Sequence, residues 1–184
     1  DQDICDKIAL FCDVEKQAVI PMITSDVLYE VPLLLEQAGV DDYLVEKLNM
    51  KSTRRADMKP WEKLVEHVRE PKPTVKVALV GKYVELQDAY MSVREALKHA
   101  ALANDVEVEI SWVHAADLEK DKGWDVVQNA DGILVPGGFG SRGIEGKILA
   151  ARYAREKKVP YLGLCLGMQV MCIDFARGVL NHED

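Results

Sequence analysis

From residue 75 onward, short apolar runs alternate with amphipathic helical segments. Short segments rich in apolar residues predict strands at 75–80, 106–113, 131–135 and 161–164. Apolar positions at helical spacing predict helices at 88–103, 143–157 and 166–179. Residues 118–127 show no clear pattern. The alternation predicts an α/β fold with a doubly wound, mostly parallel sheet, whose functional residues gather at the carboxyl ends of the strands.

The first part of the chain has a different character. One helix is predicted to end at Cys12, and two more are predicted within 29–48, on either side of Gly39. The apolar run at 18–21 predicts a short strand. Because residues 1–58 complete no strand–helix alternation, we expect them to be the mixed α/β tail of a larger domain.

A linker is predicted between these two parts. Residues 59–74 combine a short amphipathic helix with a stiff, proline-rich end. We therefore predict three segments: the C-terminal part of one domain at 1–58, a linker at 59–74, and the N-terminal part of a second domain at 75–184. We expect the sheet of the second domain to be incomplete.

Composition and charge exclude several classes of protein. The chain has 184 residues, of which 48% are apolar, so it can form a core. Its net charge of −8 argues against a nucleic-acid-binding surface. No apolar run reaches the roughly 18 residues that a membrane-spanning helix needs. The four cysteines form no C-x-x-C pair, so we predict no metal site, and reduced thiols in the cytoplasm.

The segment Gly163-Leu164-Cys165-Leu166-Gly167 carries the strongest chemical signal. A predicted strand ends and a helix begins within about two residues, which is the pattern of a nucleophile elbow with cysteine in place of serine. The turn residue is forced into strained backbone angles, and its second neighbours must be small. The sulfur would also lie at a helix N-terminus, which favours the thiolate form. Cys165 is therefore predicted to be a nucleophile; the alternative is a buried structural cysteine.

A second glycine-rich turn, at 136–140, follows the third predicted strand. It has neither the spacing of a dinucleotide-binding loop nor the ending of a phosphate-binding loop. The N–H groups of Gly138 and Leu166 could instead converge on one developing oxyanion. An ordinary glycine turn at the sheet edge is the alternative for this segment.

No histidine is well placed to act as the base for Cys165. The helix that follows Cys165 would carry His182 about 20 Å away, and His67 lies in the predicted linker. His99 is expected on a solvated helix face, and His114, which ends a strand, could lie near the active edge. We therefore expect the catalytic base to lie outside this chain.

Several segments resemble one enzyme family. The elbow and the V-P-G-G-F-G turn are similar to those of class I (triad) glutamine amidotransferases. Further segments resemble the CTP synthase family: 7–12, 29–32, 80–86, 88–90, 92–93, 95–99 and 134–146. Together they cover nearly the whole chain in order. The resemblance implies a flavodoxin-like amidotransferase sheet, preceded by the end of a P-loop-type synthetase domain.

That family makes CTP from UTP, ATP and glutamine, with Mg²⁺ as cofactor, GTP as activator, CTP as regulatory product and a homotetramer as the assembly. The resemblance implies that Cys165 forms a glutamyl thioester. It implies that the glutamine pocket is lined by Leu166, Gly167, Met168 and Gln169. It also implies a UTP or CTP contact at Lys7, an adenine contact at Ile23, Thr24 and Ser25, and a lid linked to GTP that includes Arg142.

The family's downstream histidine and glutamate, in an H-P-E motif, are absent from this sequence. The nucleotide-binding body of the synthetase is absent as well. We therefore expect a fragment that spans the domain junction and shows no turnover alone. Three other interpretations stay open: another class I amidotransferase, a small cysteine hydrolase or glyoxalase, and a truncated, non-catalytic interaction module.

Overall fold

A computed structural model describes residues 2–51, 55–138 and 140–182. The chain forms two compact units, one that ends at Pro71 and one that begins at Lys72. Each unit has its own buried residues.

The first unit is built from four helices, α1 (Gln2–Cys12), α2 (Val31–Gln37), α3 (Val40–Lys47) and α4 (Lys59–Arg69). Gly39 separates α2 from α3 with φ 72°, a left-handed conformation that glycine adopts without strain. The pair of helices predicted on either side of Gly39 is thereby confirmed.

The strand predicted at 18–21 is wrong. A short 3₁₀ turn covers Lys16–Ala18, and the residues described in this unit contain no strand. Val19 has extended backbone angles, φ −95° and ψ 100°. Because a strand exists only when a neighbouring strand takes its hydrogen bonds, local preference alone does not make one here.

Helix α4 packs within the first unit. The Trp61 indole N–H donates a 2.6 Å hydrogen bond to the Tyr29 carbonyl, and Arg69 lies 2.8 Å from Glu30. Val65, on the same helix, is buried. The predicted linker segment therefore contains a helix that is packed against the 3₁₀ turn Leu28–Glu30.

The second unit contains a parallel sheet of four strands. They are β1 (Thr74–Gly81), β2 (Glu107–His114), β3 (Gly132–Val135) and β4 (Tyr161–Gly163), in the order β2-β1-β3-β4. Its helices are α5 (Met91–Ala103), α6 (Ala115–Leu118), α7 (Trp124–Gln128), α8 (Ile144–Lys157) and α9 (Leu166–Gly178). The predicted α/β class with a parallel sheet is confirmed. Residues 118–127, which lack a clear pattern, contain the last residue of α6 and most of α7.

Side chains on alternate strand positions pack on opposite faces of this sheet. Val80 and Val135 belong to the larger buried cluster, together with Ile148 of α8 and Val170 of α9. Leu79 packs on the other face with Leu134 and Tyr90. Both faces are thus covered, as a doubly wound sheet requires. Within the described residues, no helix has the length and hydrophobicity to cross a membrane.

Candidate active site

Cys165 occupies a strained turn between β4 and α9. Its backbone angles are φ 54° and ψ −110°, a region that residues with a side chain rarely adopt. It caps the N-terminus of α9, and its side chain is exposed. Strain of this kind persists only where the surrounding structure imposes it, and it is concentrated at functional sites.

The glycines on both sides of the turn pack closely against other backbone atoms. A Cβ on Gly167 would lie 1.9 Å from the Val135 carbonyl oxygen, and a Cβ on Gly163 would lie 2.4 Å from the Gly167 carbonyl carbon. Both positions are therefore closed to any side chain, because the atoms in the way belong to the backbone. The Tyr161 hydroxyl also donates a 2.8 Å hydrogen bond to the Gly167 carbonyl, which ties α9 to β4.

The Cys165 side chain opens onto a cavity of about 370 Å³. The described residues that line it are Gly138, Gly140, Ser141, Ile144, Cys165, Leu166 and Gln169. Three residues predicted for oxyanion or glutamine binding therefore share one cavity with the thiol: Gly138, Leu166 and Gln169.

Gly167 and Met168, which were also predicted to line the pocket, are not among these lining residues. Gly167 is buried against β3, and 47% of Met168 is exposed. In a helix, successive residues point about 100° apart, so four consecutive positions cannot all face one cavity. Ser141 and Ile144 line the cavity but were missed, because their place depends on how the loop after β3 folds back toward α9.

The loop after β3 lies directly beside the thiol. A Cβ on Gly137 would lie 3.3 Å from the Cys165 Cβ, and Gly138 has φ 146°, which favours glycine. No described residue accepts a hydrogen bond from the N–H of Gly138 or of Leu166. These two N–H groups are therefore unpaired among the described residues.

A buried lysine lies behind this loop. Lys147 is 1% exposed, and its ammonium donates a 3.3 Å hydrogen bond to the Pro136 carbonyl. Burial lowers the pKa of Lys147, and the neighbouring Lys82 lowers it further, whereas the Cys165 sulfur acts in the opposite direction. Lys147 was not predicted from the sequence. Its helical spacing to Ala151 and Ala154, which are also buried, was the signal that could have identified it.

No histidine lines the cavity in the part of the chain that the structure describes. His114 accepts a 3.2 Å hydrogen bond at Nδ1 from the Ala116 N–H, so it caps α6. Arg142 lies exposed in the loop before α8 and is not among the cavity's lining residues.

The remaining predicted residues lie in the first unit. The side chains of Lys7, Ile23 and Thr24 are exposed. Ser25 donates a 2.6 Å hydrogen bond to Glu30 and accepts one from the Val27 N–H, so its hydroxyl stabilises a local turn. Among the described residues, no group of three histidine, cysteine, aspartate or glutamate side chains could hold a metal ion.

Comparison with known families agrees with this geometry. The family model for class-I glutamine amidotransferases matches residues 85–184, more than half of the chain. The chain therefore belongs to this family.

Within that class, the chain is similar to CTP synthase, as the resemblance predicted. The model for the CTP synthase N-terminus matches residues 1–50. Over 182 residues, the chain is 57% identical to the CTP synthase of Dehalococcoides mccartyi and 52% identical to that of Bacillus licheniformis. Each match covers 99% of this chain, but 33% and 34% of those relatives. The chain thus spans about a third of the length of the relatives it matches.

One solved structure is also similar, the glutaminase domain of Trypanosoma brucei CTPS with bound acivicin. The match has a TM-score of 0.54 at 41% identity, and it covers 58% of this chain and 42% of that one. This likeness supports the α/β architecture of the second unit.

Proposed function

We propose that the second unit carries the glutamine-cleaving site of a CTP synthase and that Cys165 is its nucleophile. The observation that carries the proposal is the strained turn at Cys165, which opens onto a cavity shared with Gly138, Leu166 and Gln169. Membership of the class-I amidotransferase family supports this reading over an ordinary buried cysteine. The match to the CTP synthase N-terminus favours it over other class I amidotransferases.

The proposed chemistry forms a thioester. The Cys165 thiolate attacks the side-chain amide carbon of glutamine, a C–S bond forms, and the carbonyl electrons move onto oxygen. The N–H groups of Gly138 and Leu166 stabilise that oxyanion. As the carbonyl re-forms, the C–N bond breaks, and the nitrogen takes up a proton and leaves as ammonia. Water then releases glutamate from the sulfur.

These steps need a base and acid that move protons at the sulfur and at the leaving nitrogen. The described residues around the cavity include no histidine, aspartate or glutamate. We therefore propose that the 184 residues alone do not turn glutamine over.

The four cysteines, all described, form no disulfide, which supports the cytoplasm as the compartment.

We propose that the first unit is the end of the synthetase domain, on the basis of its match to the CTP synthase N-terminus. There Lys7 would contact UTP or CTP, and the backbone of Ile23, Thr24 and Ser25 would contact the adenine of ATP. The exposure of Lys7, Ile23 and Thr24 is compatible with such contacts. Because the Ser25 hydroxyl is bonded to Glu30, only the backbone of Ser25 is offered.

In the whole protein, the proposed reaction is the ATP-dependent amination of UTP to CTP, with Mg²⁺ as cofactor and a homotetramer as the assembly. The relatives named CTP synthase support this assignment. We assign no Mg²⁺ ligand to the described residues. The exposed Arg142 would belong to a lid that responds to GTP.

The test is selective labelling by acivicin, followed by peptide mapping. Cys12, Cys165 and Cys172 are all exposed, whereas Cys5 is buried. Exposure alone would therefore label three cysteines at similar rates, and the other two exposed thiols serve as internal controls. We expect Cys165 to react at least about tenfold faster, because its sulfur lies at a helix N-terminus beside the oxyanion donors.

Equal labelling of the three exposed cysteines would contradict the assignment of Cys165. In parallel, an ammonia assay should detect no glutamine hydrolysis by the chain, with an intact CTP synthase as the positive control. Turnover by the chain alone would contradict the proposed lack of a base, while leaving the nucleophile assignment intact.

A further inference from the structure

The proposed chemistry gives no role to Lys147, although its position is unusual. Its side chain is 1% exposed and belongs to the largest fully buried side chains of the chain. Lysine is almost never fully buried unless it is paired, because the ammonium loses its hydration. The described residues place no carboxylate within salt-bridge distance of it. A buried lysine without a carboxylate partner calls for an explanation.

The backbone that carries Lys147 is held rigidly. Helix α8 begins after Gly143, whose φ is 80°, and Gly146 packs so closely on α6 that a Cβ there would lie 1.7 Å from the Ala115 carbonyl oxygen. The Gly146 N–H also donates a 3.0 Å hydrogen bond to Glu119. The first turn of α8 is therefore fixed to the end of β2 through α6.

The other end of the side chain reaches the loop beside Cys165. The ammonium donates to the Pro136 carbonyl, and it lies 3.7 Å from the place that a Cβ on Gly138 would occupy. The loop contains two consecutive glycines, which have wide conformational freedom. Because the Pro136 carbonyl and the Gly137 N–H share one planar peptide, a bond to this oxygen fixes the orientation of that plane.

We propose that Lys147 is a positioning residue for acyl transfer at Cys165, since its bond to Pro136 holds the Gly137–Gly138 loop in the orientation that receives the oxyanion. This inference rests on the proposed function of Cys165. Lys147 touches no substrate and moves no proton in this role. An N–H donor is enough, so the bond forms whether or not the side chain is charged.

Two lysine variants separate this role from a structural one. Lys147→Met keeps most of the apolar stem and removes the donor, and apolar replacement of a buried charge is often neutral or stabilising. Lys157→Met is the matched control, because Lys157 lies exposed at the end of the same helix. Circular dichroism and thermal unfolding check that both variants fold. Should Lys147→Met fail to fold, Lys147→Gln, whose amide is too short to reach Pro136, takes its place.

Two reactions of the same thiol provide the readout. The γ-(p-nitrophenyl) ester of glutamate acylates the sulfur: the C–S bond forms through an oxyanion, the ester C–O bond breaks, and p-nitrophenolate leaves without a proton. A burst of one p-nitrophenolate per chain therefore measures acylation and needs no acid. Iodoacetamide instead displaces iodide from a saturated carbon, so its reaction at Cys165 develops no oxyanion.

We expect Lys147→Met to slow the burst by about tenfold or more, because a misplaced oxyanion donor costs up to about 10²-fold in rate. The same variant should leave alkylation of Cys165 by iodoacetamide within about twofold, and Lys157→Met should change neither rate. An unchanged burst, or an equal slowing of both reactions, would overturn the inference. A parent chain without a burst, or a burst that survives Cys165→Ser, would instead refute the proposed function, and this inference with it.

Discussion

Gly167→Ala is the sharpest test of how the elbow is built. The added Cβ would lie 1.9 Å from the Val135 carbonyl oxygen, so α9 must move away from β3 by about 1.5 Å to reach ordinary contact. Overpacking of this kind costs about 3 kcal/mol, and the better helix propensity of alanine returns about 1 kcal/mol. We therefore expect a net loss of about 2 kcal/mol in the free energy of unfolding.

The assay is urea unfolding followed by tryptophan fluorescence, to which Trp112 and Trp124 of the second unit contribute. A loss of about 2 kcal/mol would also lower the melting temperature by about 4–8 °C in a chain of this size. Because a displaced α9 carries Cys165 with it, labelling by acivicin should slow by about 10²-fold.

Gly132→Ala is the matched control. A Cβ at this position would lie 3.7 Å from the Pro160 carbonyl oxygen, which is ordinary van der Waals contact. Its stability should change by less than about 1 kcal/mol, and acivicin labelling should be unaffected. If Gly167→Ala proves as stable as Gly132→Ala, the steric account of the turn is wrong.

Two further changes test what holds α9 in place. Asp174 is 1% exposed, and its carboxylate lies 2.8 Å from Arg155 and 3.3 Å from Arg152. Asp174→Asn should therefore lower the free energy of unfolding in urea by about 2 kcal/mol, a value reduced because both arginines are partly hydrated. A loss below about 0.5 kcal/mol would refute this. Burial, and then the charge of Asp174, raise the pKa of Tyr161, so the folded chain keeps a proton that an unfolded tyrosine loses near pH 10. Stability should therefore fall as the pH rises above about 10. Tyr161→Phe should lose about 1 kcal/mol at pH 7 with the bond to Gly167, and this deficit should shrink above pH 10; a deficit constant from pH 7 to 11 would contradict the role of burial.

The second unit was largely predictable because its signals are local. Every predicted strand from 75 onward is present, with bounds that shift by at most one residue, as for the strand predicted at 106–113 and found at Glu107–His114. The strand predicted at 18–21 failed for the opposite reason. Its apolar residues satisfy the local preference, but a strand also needs a neighbouring strand, which local preference does not supply.

The sequence by itself determined the order of the elements and the place of the strained turn, since a cysteine between glycines at ±2 admits few backbone paths between a strand and a helix. The tertiary structure alone decided which side chains share the cavity with Cys165. It brought in Ser141 and Ile144, left Gly167 and Met168 aside, and buried the Lys147 ammonium behind the loop. The physical reason is that turn geometry depends on adjacent residues, whereas neighbours across a sheet depend on how distant segments pack.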